Sequence, residues 1–109
     1  MPKTTSELFR RGNASGPRMD QVRIGKDIDV YRINGIEWVA ARSGGVSTFS
    51  VQGPGRNWWS LPAGSDYPDD LAILNDHGNH FNWEPNVDMT LADFLFLLAN
   101  IEKDFRKVS

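Results

Sequence analysis

The chain has 109 residues, enough for one domain with an ordinary hydrophobic core and too few for two. Its 14 acidic against 12 basic residues give a formal charge of −2 at pH 7, so the electrostatic footprint of a nucleic-acid or anionic-membrane binder is missing. The lack of cysteine excludes disulfides, thiolate zinc sites and thiol nucleophiles together, and no apolar run approaches the ~20 residues of a membrane span, so a soluble, cytoplasmic, single-domain protein over residues 1–109 is expected.

In chain order, residues 1–5 read as a frayed end, and residues 6–11 as a first strand with Leu8 and Arg10 on one face and Phe9 on the other. Residues 12–17 are a loop by composition, and the charged piece up to Lys26 shows no period. The clearest local signal is Asn34-Gly35 between two strand-like runs, residues 29–33 and 36–41, which predicts a type I′ hairpin because both turn residues need positive φ. Residues 42–45 then turn the chain into a strand over 46–51, which predicts a three-strand meander. Gly53-Pro54-Gly55 breaks that strand and Trp58-Trp59-Ser60-Leu61 forms the next.

Residues 62–70 form a long polar loop without a period, and a loop of that length in a small chain is a functional signal. The whole window 43–71, which concentrates glycines, hydroxyls, aromatics and carboxylates, reads as the functional centre. Residues 71–74 are compatible with a strand or with one helical turn, while residues 79–83 alternate polar and aromatic and predict a half-buried strand ending at Glu84-Pro85. Thr90 starts a helix reaching Phe105, with Asp93 in its first turn. Leu91, Phe94, Leu95, Leu98, Ile101 and Phe105 make its apolar stripe, and Lys103, Arg106 and Lys107 suit its C-terminal end. The fold class is therefore α+β, a mostly antiparallel sheet carrying a C-terminal amphipathic helix.

The order of pieces resembles the small cytotoxic effectors of bacterial type VI secretion whose fold is similar to NAD-dependent ADP-ribosyltransferases. Leu8-Phe9-Arg10, Asn34-Gly35, Gly44-Gly45-Val46-Ser47-Thr48-Phe49, the loop from Leu61 to Leu71, His80-Phe81 and Pro85 carry the resemblance. The most specific stretch is that loop, of type Leu/Ile-Pro-x-Gly-Ser/Thr-Asp-x-Pro-x-Asp-Leu. The chain departs from the pattern at Val46, where the family has a threonine, and is shorter between Arg11 and Asp27.

The resemblance implies an ADP-ribosyltransferase-like toxin domain that binds NAD, transfers ADP-ribose or cleaves NAD in the cytoplasm of a bacterium, and is neutralised by an immunity protein or antitoxin. Cleaving the nicotinamide–ribose bond calls for an anion anchor, groups that fix the ribose and a carboxylate facing the developing positive charge. Arg10 is the expected anchor, because a guanidinium matches phosphate oxygens bidentately; an exposed strand arginine is the plainer reading. Ser47, His80 and Glu84 are the candidate catalytic groups, although Glu84 aligns with no family acid. Thr48 and Trp59 join Arg10 and Ser47 as candidate cofactor-binding residues.

No Glu-x-Glu pair occurs, which counts against an ordinary arginine-specific transferase. His77 and His80, three apart across a glycine, match no zinc spacing, and no metal site is expected. Two other classes compete: a catalytically inactive interaction module with the same fold, and a sugar-binding β domain using Trp58 or Trp59.

Overall fold

The computed structural model describes residues 1–109. The strands are β1 (Leu8–Arg11), β2 (Val30–Ile33), β3 (Ile36–Val39), β4 (Val46–Phe49), β5 (Trp58–Leu61), β6 (Leu71–His77), β7 (His80–Pro85), β8 (Met89–Thr90) and β9 (Arg106–Lys107), with one helix, α1 (Leu91–Ile101), between β8 and β9. Strand pairing is antiparallel throughout both sheets, one six-stranded in the order β6-β7-β4-β1-β5-β9 and one three-stranded in the order β2-β3-β8. The expected class, an α+β domain with a mostly antiparallel sheet and a C-terminal amphipathic helix, is the one that forms.

The period-two pattern sorts the six-stranded sheet into two chemically different faces. Leu8, Val46, Leu61, Leu71 and Trp83 turn inward and meet Leu91, Phe94, Leu98 and Ile101 from α1 in a single core. Trp83 is fully buried there, and its indole N–H donates to Thr48 Oγ1 at 3.1 Å. Phe9, Ser47, Phe49, His80 and Asn82 occupy the opposite face by the same alternation. The helix starts where expected: the Thr90 hydroxyl accepts from the Asp93 N–H at 3.1 Å, capping a donor that would otherwise lack a partner.

Several expectations change. Asn34 and Gly35, at φ 52° and 78°, make the I′ hairpin, but β4 does not continue it into a meander. The chain leaves the small sheet at Arg42 (φ 55°), Gly45 N donates to Asp27 O, and β4 instead lies between β7 and β1 in the large sheet. The helix ends at Ile101, and a 3₁₀ turn over Glu102–Asp104 leads to an extended, buried Phe105 and to β9. Arg106 and Lys107 thus pair with β5 rather than closing the helix, since Phe105 reaches the core as well from an extended backbone as from a helical one.

Residues 71–74, left open between strand and helix, lie in β6. The N-terminal residues are not frayed. Thr4 is buried, its amide donates to Ser65 O at 2.9 Å, its hydroxyl to Pro62 O at 2.9 Å, and Lys3 pairs with Asp66 at 2.5 Å.

Four carboxylates are held below the usual Asp range, each chiefly by a donor: Asp27 by Arg23, Asp66 by Lys3, Asp76 by His80 and Asp88 by the Ala41 N–H. Their folded pKa values lie below the unfolded ones, so their contribution is complete above the ordinary Asp value of about 3.9 and is lost as pH falls through the lower folded values. The urea midpoint followed by Trp fluorescence should therefore drop on going from about pH 5 to about pH 3. A midpoint unchanged over that window would contradict the assigned hydrogen bonds.

Candidate active site

A cleft opens where β1 and β4 part. β1 pairs with β5 at four positions but with β4 at one only, Phe9 opposite Phe49. Arg10, leaving β1 on the Leu8 face, bridges the gap with its guanidinium. Nε donates to Pro17 O (2.9 Å) and Arg18 O (3.3 Å), Nη1 to Ser47 O (2.7 Å) and Nη2 to Arg18 O (3.0 Å). A guanidinium has five N–H groups, so one remains on each of Nη1 and Nη2. Burial lowers the Arg10 pKa from its ordinary value, and the charges of Asp27, Glu102 and Asp20 oppose that shift, so the group stays a cation.

The cleft beside it has a volume of ≈ 550 Å³ and is lined by Asp20, Arg23, Asp27, Gly45 and Ser47 among others, within the usual range for small-molecule sites. Arg10 and Arg23 face Asp20 and Asp27, so the formal charges cancel and any preference for an anion must come from the directed N–H groups of Arg10.

Gly44 and Gly45 allow the backbone to close this wall. A Cβ on Gly45 would lie 1.7 Å from Trp83 O, and Gly44, at φ 136°, has Asp27 O at 2.1 Å from the equivalent point. Gly45→Ala is expected to cost at least ~1–3 kcal/mol by forcing β4 away from β7, a loss readable as a lower thermal midpoint. A midpoint equal to the parent's would mean that the wall is not closed in this way. Glu84, nearly buried, pins the same turn: Oε1 accepts from Gly44 N (3.1 Å) and Oε2 from Asn82 Nδ2 (2.8 Å).

Ser47 connects the cleft wall to the outer face of the sheet. Its hydroxyl lies 2.8 Å from His80 Nε2, and His80 Nδ1 lies 2.5 Å from Asp76 Oδ1. A carboxylate only accepts, so Nδ1 of the neutral ring carries the proton and Nε2 accepts from the Ser47 O–H. Aspartate orients imidazole, and imidazole polarises hydroxyl, in the arrangement that activates a serine or a bound hydroxyl. Register places Ser47 opposite Asn82, which lies between His80 and Glu84 on the same face of β7, so Ser47, His80 and Glu84 share that face.

The remaining expected residues lie elsewhere. Thr48 is fully buried on the core face, where it donates to Phe81 O at 2.8 Å and accepts from Trp83, so its hydroxyl is not offered to a ligand. Trp59 packs against the core and its indole N–H donates to Asn13 O at 2.9 Å, tying down the 12–17 loop. Trp58 is buried on the other face, edge-on to Phe49.

The window 43–71 does not gather at the cleft: Gly45, Val46 and Ser47 line it, and residues 62–70 do not. Its loop clasps the N-terminal segment, with Gly64 N donating to Thr4 O, Tyr67 N to Pro2 O, and Tyr67 meeting Trp83 edge-on at 5.5 Å. Sequence reading missed Asp76. Its spacing of four from His80 is a neighbour signal in a helix and carries none in a strand; here a hairpin turn at Gly78 (φ 49°) brings the two together.

No helix is long and apolar enough to cross a membrane. A family model described as the Tse2 ADP-ribosyltransferase toxin matches residues 1–107. No curated protein and no solved structure matches the chain.

Proposed function

Since the chain belongs to the Tse2 ADP-ribosyltransferase toxin family, we propose that it binds NAD in the Arg10–Ser47 cleft and transfers ADP-ribose, or cleaves NAD, within a bacterial cytoplasm. The observation that carries this reading is Ser47, whose backbone carbonyl accepts from Arg10 in the cleft while its hydroxyl, on the opposite face of β4, takes its orientation from His80 and Asp76. NAD supplies a ribose whose bond to nicotinamide breaks with positive charge growing on the sugar.

The chain's own groups divide the work around that event. The two uncommitted N–H groups of Arg10 are the anchor for the diphosphate. The Ser47 hydroxyl, held by His80, fixes a ribose hydroxyl or an acceptor, and His80 Nε2 is the proton acceptor. Glu84 is the candidate carboxylate for the developing charge, already oriented by Gly44 and Asn82. A toxin of this kind, whether injected by type VI secretion or kept on the chromosome, requires a cognate immunity protein or antitoxin that occludes the cleft.

The second reading, an inactive module that acts by binding a protein, is favoured by Arg10, most of whose N–H groups already serve three backbone carbonyls. Tightly induced expression in bacteria decides between them. Growth arrest by the parent with nicotinamide release in lysate, and neither with Ser47→Ala, supports the transferase. Arrest that persists in Ser47→Ala without NAD loss supports the binding module, and harmless expression of a folded parent overturns both.

A further inference from the structure

Strand alternation would send the side chains of Asp76 and His77 to opposite faces of β6. The β6–β7 register shifts between Asn75 and His77, however, and both side chains converge on His80. His80 Nδ1 and His77 Nδ1 lie 2.5 and 3.0 Å from the same oxygen, Asp76 Oδ1. The turn that permits this is fixed by more than its ligands. Gly78 has φ 49°, and Asn75 Nδ2 donates to Gly78 O (3.0 Å) and His80 O (2.8 Å). The two imidazoles stack with centroids 5.1 Å apart and planes at 20°.

We propose that this hairpin is a binding site for a divalent transition metal of the zinc class, with Asp76 Oδ1, His77 Nδ1 and His80 Nδ1 as ligands. One atom from each residue lies within 4.8 Å of the others. Ligands about 2.0–2.2 Å from a tetrahedral ion sit roughly 3.3 Å from one another, so a turn of the exposed Asp76 carboxylate and rotation of the exposed His77 ring out of its stack on His80 complete the set. Two imidazoles and one carboxylate suit zinc, nickel or copper, whereas magnesium and calcium take oxygen ligands. The fourth position faces solvent, since Asp76 and His77 are exposed.

Occupancy has a consequence for His80. The metal takes the Nδ1 lone pair, so the single proton of the neutral ring resides on Nε2, which then donates to Ser47 Oγ instead of accepting from it. His80 can no longer take the Ser47 proton, and the metal is an inhibitor. This second half rests on the proposed function; the binding itself does not.

The test is calorimetric titration of the full chain with ZnCl2. One saturable site per chain is expected, with affinity at least ~10-fold weaker in His77→Ala and in Asp76→Asn and no competition from MgCl2. Non-saturable binding, or binding unchanged in both variants, overturns the site. NAD consumption, measured relative to each protein's own zinc-free rate, should fall with ZnCl2 in the parent and much less in His77→Ala; equal inhibition in both overturns the inhibitory half. A zinc-free parent that consumes no NAD while still binding one zinc refutes the proposed activity and leaves the metal site standing.

Discussion

His80→Ala is expected to lower ADP-ribosyl transfer or NAD cleavage by roughly 10²–10⁴-fold, the usual worth of a positioned general base, while leaving the fold in place. The asymmetry follows from where the ring sits. His80 lies on the outer face of the large sheet, where its packing partners are Phe49 at 5.5 Å and the exposed His77 at 5.1 Å, so truncation opens no cavity in the main core. Its two nitrogens, by contrast, are the whole link between Asp76 and Ser47.

Ser47→Ala should show a loss of comparable size, and the double variant little more than either alone, because groups acting as one unit are strongly non-additive. Asp76→Asn should lose activity on a scale comparable to His80→Ala and shift the pH profile of the rate, since an Asn amide that donates to Nδ1 puts the ring proton on Nε2, where it no longer accepts from Ser47. The measurement is nicotinamide release with purified parent and variants matched for thermal midpoint. Rates within a factor of about two for parent and His80→Ala would remove His80 from the chemistry, since a positioned base contributes far more than that.

Arg10→Ala is expected to have the largest effect on stability, about 3–5 kcal/mol. The guanidinium satisfies the carbonyls of Pro17, Arg18 and Ser47 at once, across the gap where β1 and β4 do not pair. Removing it leaves these carbonyls without their donor in a partly buried setting. For a domain of this size such a loss lowers the thermal midpoint by roughly 10–30 °C.

Arg10→Lys should recover only part of it, because one ammonium cannot reach three carbonyls in the planar geometry of the fork. Loss of toxicity in Arg10→Ala therefore reports folding as well as binding. The separating measurement is Arg10→Lys below its own midpoint, where weaker NAD binding in a folded protein supports the anchor role. A midpoint for Arg10→Ala within a few degrees of the parent's would show that water replaces the guanidinium at these carbonyls, and the structural role would fall.

The sequence by itself determined the features that depend on near neighbours. Asn34-Gly35 dictates a tight hairpin because both residues must take positive φ, and Thr90 with the leucine-phenylalanine stripe dictates where a helix begins and which side it buries. The ordered pieces from Leu8-Phe9-Arg10 to Pro85 carried the family, which the match over residues 1–107 shows. Ser47 and His80 were legible as individual candidates, and they are held together at 2.8 Å.

What only the tertiary structure decided is which strands pair and which side chains converge from distant positions. The meander was not available to local reasoning to reject, since the turn at 42–45 gives no sign that Asp27 will hold its far end. The loop of residues 62–70, the most specific stretch of the resemblance, serves to bind the N-terminal segment rather than to line the cleft, because the backbone groups of Gly64, Ser65 and Tyr67 satisfy those of Pro2 and Thr4, and the Thr4 hydroxyl bonds Pro62 O and Ser65 N. Asp76 joined the site through a bulge, and Thr48 left it through burial. Both outcomes hinge on register, and one residue of register decides which face of a sheet a side chain occupies.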